Sequence, residues 1–355
     1  MVRDLLASTL AWPVDYDDKG REVLTMVCDE LRNGSVIESS IDDRDDSWFH
    51  VSHGQGYARA CLGWAICPCL ASPRRDNATV VNDRLALLGV TDAEADESRR
   101  EIAGCLERAR KLRGEIPEVS VDPLRRPDRI YVLAMTYRTG STLLKDWLAG
   151  TGVLGKPEEY LNTRPGNLLD QWAAAFRAED IESYVRRVAI HHATPNGVFG
   201  IKVEFMQYLP VIRSGVLDDV GPEPRFIYLT RKDLLAQAVS LARARATGRW
   251  NSSMTVRFDG DADETAVVEC LWEVTRRREL WDRFFALKGI EPLRLTYEEM
   301  IARPGAAVAD VATHLGIELP GPTPSPTSSL EIQRDARNAS LMERIREQFE
   351  KASEA

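Results

Sequence analysis

The segment YVLAMTYRTGSTLLKDWLAG, residues 131–150, constrains the fold more than any other part of the chain. It begins with a short continuous apolar run, which is typical of a strand buried on both faces of a sheet. A polar turn with one glycine follows, and an amphipathic helical pattern completes the segment. A strand that enters a helix through such a turn predicts an α/β fold, with the turn at the carboxyl end of the strand.

Further apolar runs of the same kind follow along the chain, and they read GVFGIKVEF, PRFIYLT and, more weakly, LRLTYEEM. Helical patterns separate or follow these runs at residues 141–150, 167–190, 232–247, 264–288 and 303–315, and a charged amphipathic helix is predicted over 330–352. Strands that alternate with helices indicate a parallel sheet that is flanked by helices on both faces.

Residues 1–125 differ from the rest, and we predict a mostly helical N-terminal extension of unassigned role. Its clearest helix follows Thr91, where the T-x-x-E pattern with Glu94 indicates a capping box, and closes at Gly114. The Pro-rich, charged stretch 115–129 is typical of a linker. The sequence therefore predicts two domains, residues 1–125 and residues 126–355.

Charge and composition exclude several functional classes. The chain has 355 residues and a net charge of −9, which argues against general affinity for nucleic acid or for anionic membranes. No apolar run reaches the roughly 18 residues that a membrane-spanning helix needs, so we expect no membrane insertion. The six cysteines do not suggest a disulfide framework, and the start of the chain does not resemble a secretory signal. We expect a reducing, cytoplasmic setting.

The turn TYRTGST has the chemistry of an anion site. A turn that feeds a helix N-terminus offers free N–H groups and the positive end of the helix dipole. Gly140 lets the backbone approach an anion closely, Thr139, Ser141 and Thr142 add hydroxyl donors, and Arg138 adds a positive fork. A strand-to-helix turn that is simply capped by serine and threonine is the alternative interpretation.

The same turn does not match a site for ATP. In the pattern G-x-x-x-x-G-K-[ST], Met135 stands at the first glycine and Ser141 stands at the lysine. No later strand ends in a clear Mg²⁺-binding aspartate. The sequence therefore predicts a P-loop-like turn that holds a phosphate or sulfate without a metal-bound triphosphate.

A second basic position occurs where the run RFIYLT ends. Arg231 and Lys232 follow that strand, and the next helical pattern carries Ser240. Basic side chains at the carboxyl end of a strand suit a second phosphate, whereas a solvated helix start is the alternative interpretation.

Six segments then occur in a characteristic order and spacing: YVLAMTYRTGSTLL, TGVLGKPEEYLN, GVFGIKVEF, IYLTRKDLLAQAVSLARARATGRW, LTYEEMIARPGAAV and the late QRDA. Together, across about residues 129–346, they resemble the PAPS-dependent sulfotransferases of the Stf0 type. The resemblance implies a sulfuryl transfer from PAPS to a hydroxyl of a carbohydrate or a glycosylated small molecule. It also implies adenosine 3′,5′-bisphosphate as the second product and no requirement for a metal.

The resemblance also assigns residues on the donor side. The loop from Arg138 to Thr142 would hold the 5′-phosphosulfate, and Arg231 and Ser240 would hold the 3′-phosphate. In many relatives the arginine stands eight residues before that serine. Here Lys232 has that spacing and Arg231 stands one residue earlier, so the sequence leaves both open as the 3′-phosphate ligand.

On the acceptor side, the resemblance implies a general base at Glu159, just before an aromatic residue. A base is needed because an alcohol must lose its proton when it attacks sulfur. His191 and His192 are the alternative bases. Lys202 lies in an apolar strand, where it either contacts sulfate or acceptor or pairs with Glu204 on the same strand face.

Three other hypotheses remain open on the sequence alone. One is a P-loop kinase-like phosphotransferase, which Met135 and Ser141 disfavour, and another is a non-catalytic nucleotide-fold module that binds a partner. The third is a zinc site, for which the candidate ligands are His50, His53, Cys61, Cys67 and Cys69. The spacing of Cys67 and Cys69 is tighter than usual for zinc, so our expectation is that the protein binds no metal. The oligomeric state is also open, with a homodimer as one alternative.

Overall fold

Two short strands, β1 (Ile37–Ser40) and β2 (Trp48–His50), pair in antiparallel fashion in the first of two compact units. The first unit is Met1–Arg84 and the second is Leu85–Ala355. Beyond the backbone of those strands, the computed structural model describes residues 85–122, 125–250, 254, 255, 258, 260–321 and 336–353. The helical content predicted before residue 85 and the candidate zinc side chains from His50 to Cys69 lie outside the described residues.

The apolar runs pair into one parallel sheet, which confirms the predicted α/β architecture. Its strands are β3 (Arg129–Met135), β4 (Val198–Glu204), β5 (Arg225–Thr230) and β6 (Leu293–Thr296). Their spatial order is β4-β3-β5-β6. Since β3 is central and the chain continues first to one side of it and then to the other, the switch point of the sheet lies at the carboxyl ends of β3 and β5.

The strand register brings these carboxyl ends level with one another. Met135 pairs with Glu204 on one side and with Leu229 on the other. The loops that follow β3 and β5 therefore leave the sheet side by side. This is the edge at which α/β sheets bind their ligands.

Helices flank the sheet, and several of them begin at a residue whose side chain caps the helix. They are α1 (Asp92–Leu112), α2 (Ser141–Gly150), α3 (Leu168–Ala175), α4 (Ile181–His192), α5 (Phe205–Ser214), α6 (Val216–Val220), α7 (Leu234–Thr247), α8 (Glu264–Lys288), α9 (Tyr297–Ala302), α10 (Pro304–Leu315) and α11 (Ala336–Ser353). The capping box of Thr91 and Glu94 is confirmed, and Asp233 and Asp263 cap α7 and α8.

The core lies on both faces of β3, which is buried from Ile130 to Met135. On one face, Tyr131 and Leu133 pack with residues of α2 and α10. Elsewhere in the core, Phe205 of α5 packs edge-on against Trp281 of α8 at 5.1 Å between ring centroids. Each fully buried large apolar side chain contributes about 1.5–3 kcal/mol, so the sheet and these helices form a stable frame for the loops.

Helix α1 belongs to the second compact unit, together with the sheet. Its buried face includes Ile102, Cys105 and Leu106, and it packs along α3. Past its end, the backbone N–H of Val119 donates to the carbonyl of Ala175 at 2.9 Å. The domain boundary at residue 125, as a statement about independent folding, stays a prediction.

One helical prediction differs from the structure, and α5, α6 and α9 were not predicted; α9 replaces the second half of the run LRLTYEEM. The pattern over 167–190 is broken into α3 and α4, because Arg177 has a φ of 55° and Asp180 caps the second helix. The helix from Phe205 to Ser214 was not predicted at all. It follows β4 without an intervening loop and contains Pro210, so its pattern merges with the apolar strand before it.

None of the described helices combines the length and the apolar character needed to cross a bilayer. The cytoplasmic setting and the homodimer stay predictions of the sequence.

Candidate active site

The turn after β3 has the backbone shape of an anion-binding loop. Arg138 and Gly140 both have positive φ, 67° and 81°. A Cβ at Gly140 would lie 2.6 Å from a ring carbon of Tyr297, so this position requires glycine for two reasons. Gly140 also forms the N-cap of α2 and offers no capping side chain. The first turn of α2 therefore presents N–H groups and a positive dipole end to a ligand.

The hydroxyls of the loop have different tasks. The Thr139 hydroxyl is fully buried and donates to the carbonyl of Thr136 at 2.9 Å, so it fixes the shape of the turn. Thr142 lies one turn further, and its hydroxyl accepts from the Lys202 ammonium at 3.1 Å. Ser141 is buried at the first position of α2. Of these three predicted anion ligands, Thr139 is placed to contribute through its backbone only.

The structure brings the two predicted donor-side positions into direct contact. The guanidinium of Arg138 donates from Nε to the Ser240 hydroxyl at 2.8 Å and also donates to the carbonyl of Trp250. Arg231 donates to the carbonyl of Arg138 at 3.4 Å, and its guanidinium lies 4.8 Å from the ring centroid of Tyr297. Burial and the nearby Arg231 lower the pKa of Arg138 to about 10, and the side chain stays charged at neutral pH.

Lys232 takes a different direction from Arg231. Its ammonium pairs with Glu299 at 2.8 Å on an exposed surface, and its backbone N–H donates to Glu298 at 3.0 Å. Arg231 is partly buried and turns toward the loop of β3. The geometry therefore favours Arg231 over Lys232 as the basic residue of the anion site.

Gln237 of α7 binds the turn that follows β3, and the sequence did not single it out. This side chain on α7 is buried, and its amide donates to the Thr136 hydroxyl at 2.8 Å and to the Tyr137 carbonyl at 2.6 Å. It thereby connects the element after β5 to the turn after β3. The only sequence signal for this role was a glutamine in a predicted helix that follows a strand.

Glu159 lies at the other side of the loop, and Lys202 joins it to the anion site. The Lys202 ammonium is 3% exposed and lies 2.7 Å from Glu159 Oε1. The second carboxylate oxygen of Glu159 accepts from the Asn162 side chain at 2.7 Å. Burial opposes ionisation of Glu159, but Lys202, Asn162 and Arg164 outweigh it and hold the pKa of this carboxyl below its ordinary value.

The structure contradicts one of the two predicted roles of Lys202, and its contact with sulfate or acceptor stays a prediction. The pairing of Lys202 with Glu204 is wrong, because Glu204 turns away to another partner. Its carboxylate caps α5 by accepting from the Met206 N–H at 3.0 Å and lies 3.4 Å from Arg277 of α8. Burial raises the pKa of Glu204, which Arg277 partly offsets.

Arg164, whose charge helps to lower the pKa of Glu159, belongs to a cluster with the aromatic side chains Trp250 and Tyr137. The Arg164 guanidinium lies 3.7 Å above the ring of Trp250, and Trp250 packs edge-on against Tyr137 at 6.2 Å. Trp250 also accepts from Arg138 through its carbonyl. The TGRW segment ending at Trp250 thus connects the donor loop to the segment that follows Glu159.

His191 and His192, the alternative bases, lie in an aromatic cluster. His192 packs against Tyr160 at 4.7 Å and against Trp172 at 4.5 Å between ring centroids. Burial lowers the pKa of both histidines, that of His192 to about 4. His191 is exposed and His192 is half-buried among these rings.

Within the part of the chain that the structure describes, no three His, Cys, Asp or Glu side chains converge as a metal site would require. The described site residues are instead donors and cations that suit an anion. These are Arg138, Ser141, Thr142, Arg231 and Ser240, with Lys202 between them and Glu159.

Known proteins share the sequence pattern of this part of the chain. The family model described as Stf0 sulphotransferase matches residues 130–348. Trehalose 2-sulfotransferase of Mycobacterium tuberculosis is 27% identical over 255 residues, which cover 61% of this chain and 94% of the relative. Trehalose 2-sulfotransferase of Mycolicibacterium smegmatis is 26% identical over 256 residues, with the same coverage.

Two solved structures align over a similar part of the chain. The sulfotransferase domain from the Synechococcus PCC 7002 olefin synthase has a TM-score of 0.37 and 16% identity, and it covers 64% of this chain and 91% of its own. The sulfotransferase domain from the curacin biosynthetic pathway has a TM-score of 0.37 and 18% identity, with coverages of 61% and 83%.

Proposed function

Because the chain belongs to the Stf0 sulphotransferase family, we propose that it transfers the sulfuryl group of PAPS to a hydroxyl of a carbohydrate or glycosylated small molecule. One observation carries this proposal. The Lys202 ammonium lies 2.7 Å from Glu159 and 3.1 Å from the Thr142 hydroxyl of the anion loop. A candidate base and a candidate sulfate site are therefore neighbours, as the transfer requires.

The donor side fits a nucleotide with two separate anionic groups. The uncapped start of α2, together with Arg138, Ser141 and Thr142, would hold the phosphosulfate of PAPS. Arg231 and Ser240 would hold its 3′-phosphate, with Arg231 preferred over the surface-paired Lys232. When bound, PAPS supplies an activated sulfuryl group and a bisphosphate leaving group. Arg138 and Lys202 would stabilise the charge that develops around the sulfur.

The acceptor side fits proton removal by Glu159. Its pKa lies below the ordinary value, so the carboxylate is ionised and ready to accept a proton at neutral pH. As the acceptor oxygen attacks, its O–H bond breaks and the proton passes to the Glu159 carboxylate. Lys202 and Asn162 hold the two oxygens of that carboxylate in place. This positioning supplies part of the rate enhancement, since a base must lie within hydrogen-bond reach of the proton.

A sugar acceptor has support from two sides. Both curated relatives are trehalose 2-sulfotransferases. In this chain, Asn162 contacts Glu159, and the guanidinium of Arg164 lies over the ring of Trp250. Aromatic rings that border polar donors suit the mixed apolar and hydroxyl-bearing faces of a sugar.

Two experiments test this function. In the first, thermal shift compares adenosine 3′,5′-bisphosphate with ATP–Mg²⁺; we expect stabilisation by the bisphosphate, and selective stabilisation by ATP–Mg²⁺ would favour the kinase-like alternative. In the second, labelled PAPS is incubated with trehalose, glucose, and alkyl and aryl glycosides, with and without EDTA. We expect metal-independent labelling of at least one sugar. Bisphosphate binding without labelling of any sugar would favour the non-catalytic alternative.

A further inference from the structure

Helix α1 lies outside residues 130–348, which match the family, yet it packs on the acceptor side of the site. Its C-terminal half runs along α3, and its side chains reach the segment that follows Glu159. The Glu101 carboxylate accepts from the Thr163 hydroxyl at 3.0 Å, and the Cys105 thiol lies 3.4 Å from the Thr163 carbonyl. Burial raises the pKa of Cys105 to about 12, so this thiol is unreactive and serves as packing.

Arg108 makes the strongest of these contacts. Its guanidinium binds the Asp170 carboxylate in a two-point fork, with Nε 2.8 Å from Oδ2 and a terminal nitrogen 3.1 Å from Oδ1. The same terminal nitrogen donates to the Thr163 carbonyl at 2.9 Å. Asp170 is buried, and it also accepts from the Gly166 N–H at 2.9 Å. One ion pair therefore fixes the turn 162–167 at two points.

The same turn holds the candidate base. Asn162 precedes Thr163, and its side-chain amide donates to Glu159 at 2.7 Å. Its side-chain oxygen accepts from the Arg164 N–H at 3.1 Å and from the Asn167 amide at 2.8 Å. The orientation of Asn162 is thus set by the turn, and the turn is set by Arg108 and Asp170.

We propose that Arg108 of α1 is a positioning residue for the acceptor side, where it acts on Glu159 through the turn 162–167 and Asn162. This inference rests on the proposed function, since it assumes that Glu159 is the base. By this proposal, a helix that lies outside the residues matched by the family model contributes to catalysis by positioning the base. A lysine cannot replace Arg108, because an ammonium cannot bind Asp170 at two points and Thr163 at the same time.

The test compares Arg108→Lys and Asn162→Ala with a matched control, Arg100→Ala. Arg100 lies on the same helix, is exposed, and among the described residues pairs with Glu97 of the same helix. Arg108→Lys keeps the charge opposite buried Asp170, which avoids the unpaired buried carboxylate that alanine would leave. For each variant we measure kcat on the best sugar of the panel above, bisphosphate affinity by calorimetry, and hydrogen exchange of the 160–168 backbone.

We expect both variants to lower kcat roughly 10–100-fold, because a base displaced by about 1 Å loses its alignment with the hydroxyl. Bisphosphate affinity should stay at the wild-type value. Exchange at Gly166 should increase in Arg108→Lys and stay unchanged in Arg100→Ala. Because Arg108 acts through Asn162, the double variant should be no slower than the slower single variant.

Three outcomes would overturn the inference. They are a wild-type kcat in Arg108→Lys, rate losses that multiply in the double variant, and a loss of bisphosphate affinity as large as the loss of rate. The last would assign Arg108 a general structural role. Failure of the proposed function shows differently, as a wild-type protein that sulfates no sugar of the panel.

Discussion

The two sides of the site are built in different ways. The donor loop has local determinants of its backbone shape, namely the positive φ of Arg138 and Gly140, the bond from Thr139 to Thr136, and the start of α2, and Gln237 of α7 adds a distant contact. The Glu159 carboxylate instead depends on distant elements, because Lys202 comes from β4 and the turn of Asn162 is held by α1. A local motif survives changes elsewhere in the chain, whereas a site assembled from distant elements depends on each of them.

Removing α1 is the strongest test of this contrast. A chain that begins at residue 85 should bind bisphosphate and sulfate the panel sugar. A chain that begins at residue 120 loses Arg108 and the buried face of α1, and we expect no measurable sulfation but retained bisphosphate binding. Calorimetry and the labelled-PAPS assay measure the two properties. Loss of both in the shorter chain would show that α1 and the sheet form one folding unit.

Replacing the base should have the next largest effect. Glu159→Gln keeps the shape and removes the proton acceptor, so kcat should fall roughly 10²–10⁴-fold. Bisphosphate affinity should change little, because the donor loop is untouched. Glu158→Gln is the matched control, since that neighbouring carboxylate pairs with Lys145 at 2.8 Å instead. Steady-state kinetics with an alkyl alcohol acceptor would exclude the role of Glu159 if kcat stayed at the wild-type value.

The two adjacent basic residues after β5 should differ in their effect on nucleotide affinity. If Arg231 binds the 3′-phosphate, Arg231→Ala should weaken bisphosphate binding by about 1.5–3 kcal/mol, the usual contribution of a charge-assisted hydrogen bond. Lys232→Ala should have a much smaller effect, because Lys232 is exposed and paired with Glu299. Calorimetry with adenosine 5′-phosphosulfate, which lacks a 3′-phosphate, is the control. The reverse order of the two variants would move the ligand to Lys232.

The smallest expected effect is a change in pH dependence. The pKa of Glu159 lies below its ordinary value of 4.5, and the base form is the ionised one. The rate should therefore be constant from neutral pH into the mildly acidic range and fall only at lower pH. Lys202→Met removes the ammonium beside Glu159 and leaves only Asn162 and Arg164 to oppose the effect of burial on its pKa, so the acid limb should move to higher pH.

A pH–rate profile of Lys202→Met and of wild type checks this prediction. An acid limb that does not move would mean that Lys202 does not control the ionisation of Glu159. The Glu159 side of the site would then depend on one distant element fewer than we infer.

The sequence predicted elements better where their signal was local. The four strands and the capping box of Thr91 are confirmed because each is encoded in a short run of residues. The predicted helix 167–190 is two helices, since Arg177 adopts a positive φ. A positive φ is uncommon for a residue other than glycine, so nothing in the sequence indicated this break. Helix α5 was missed because Pro210 interrupts its pattern and no turn separates it from β4.

The residues of the candidate site also differ in whether a sequence motif pointed to them. The residues of the anion loop, Arg231 and Ser240 were singled out from motifs, and the structure brings Arg138, Ser240 and Arg231 together. Gln237, Asn162 and Arg108 were not singled out. Gln237 and Asn162 lie inside segments that carry the resemblance and Arg108 lies outside them, but the contacts of all three side chains appear only in the folded chain.

The sequence by itself determined the parallel sheet, the anion-binding turn and the family, because apolar runs, glycine and a helix start are properties of neighbouring residues. The tertiary structure alone decided that Lys202 pairs with Glu159 and not with Glu204, that Arg231 and not Lys232 turns toward the loop, and that α1 contacts the turn that follows Glu159. The physical reason is that a buried charge must find a partner in space, and the fold determines which partner is within reach.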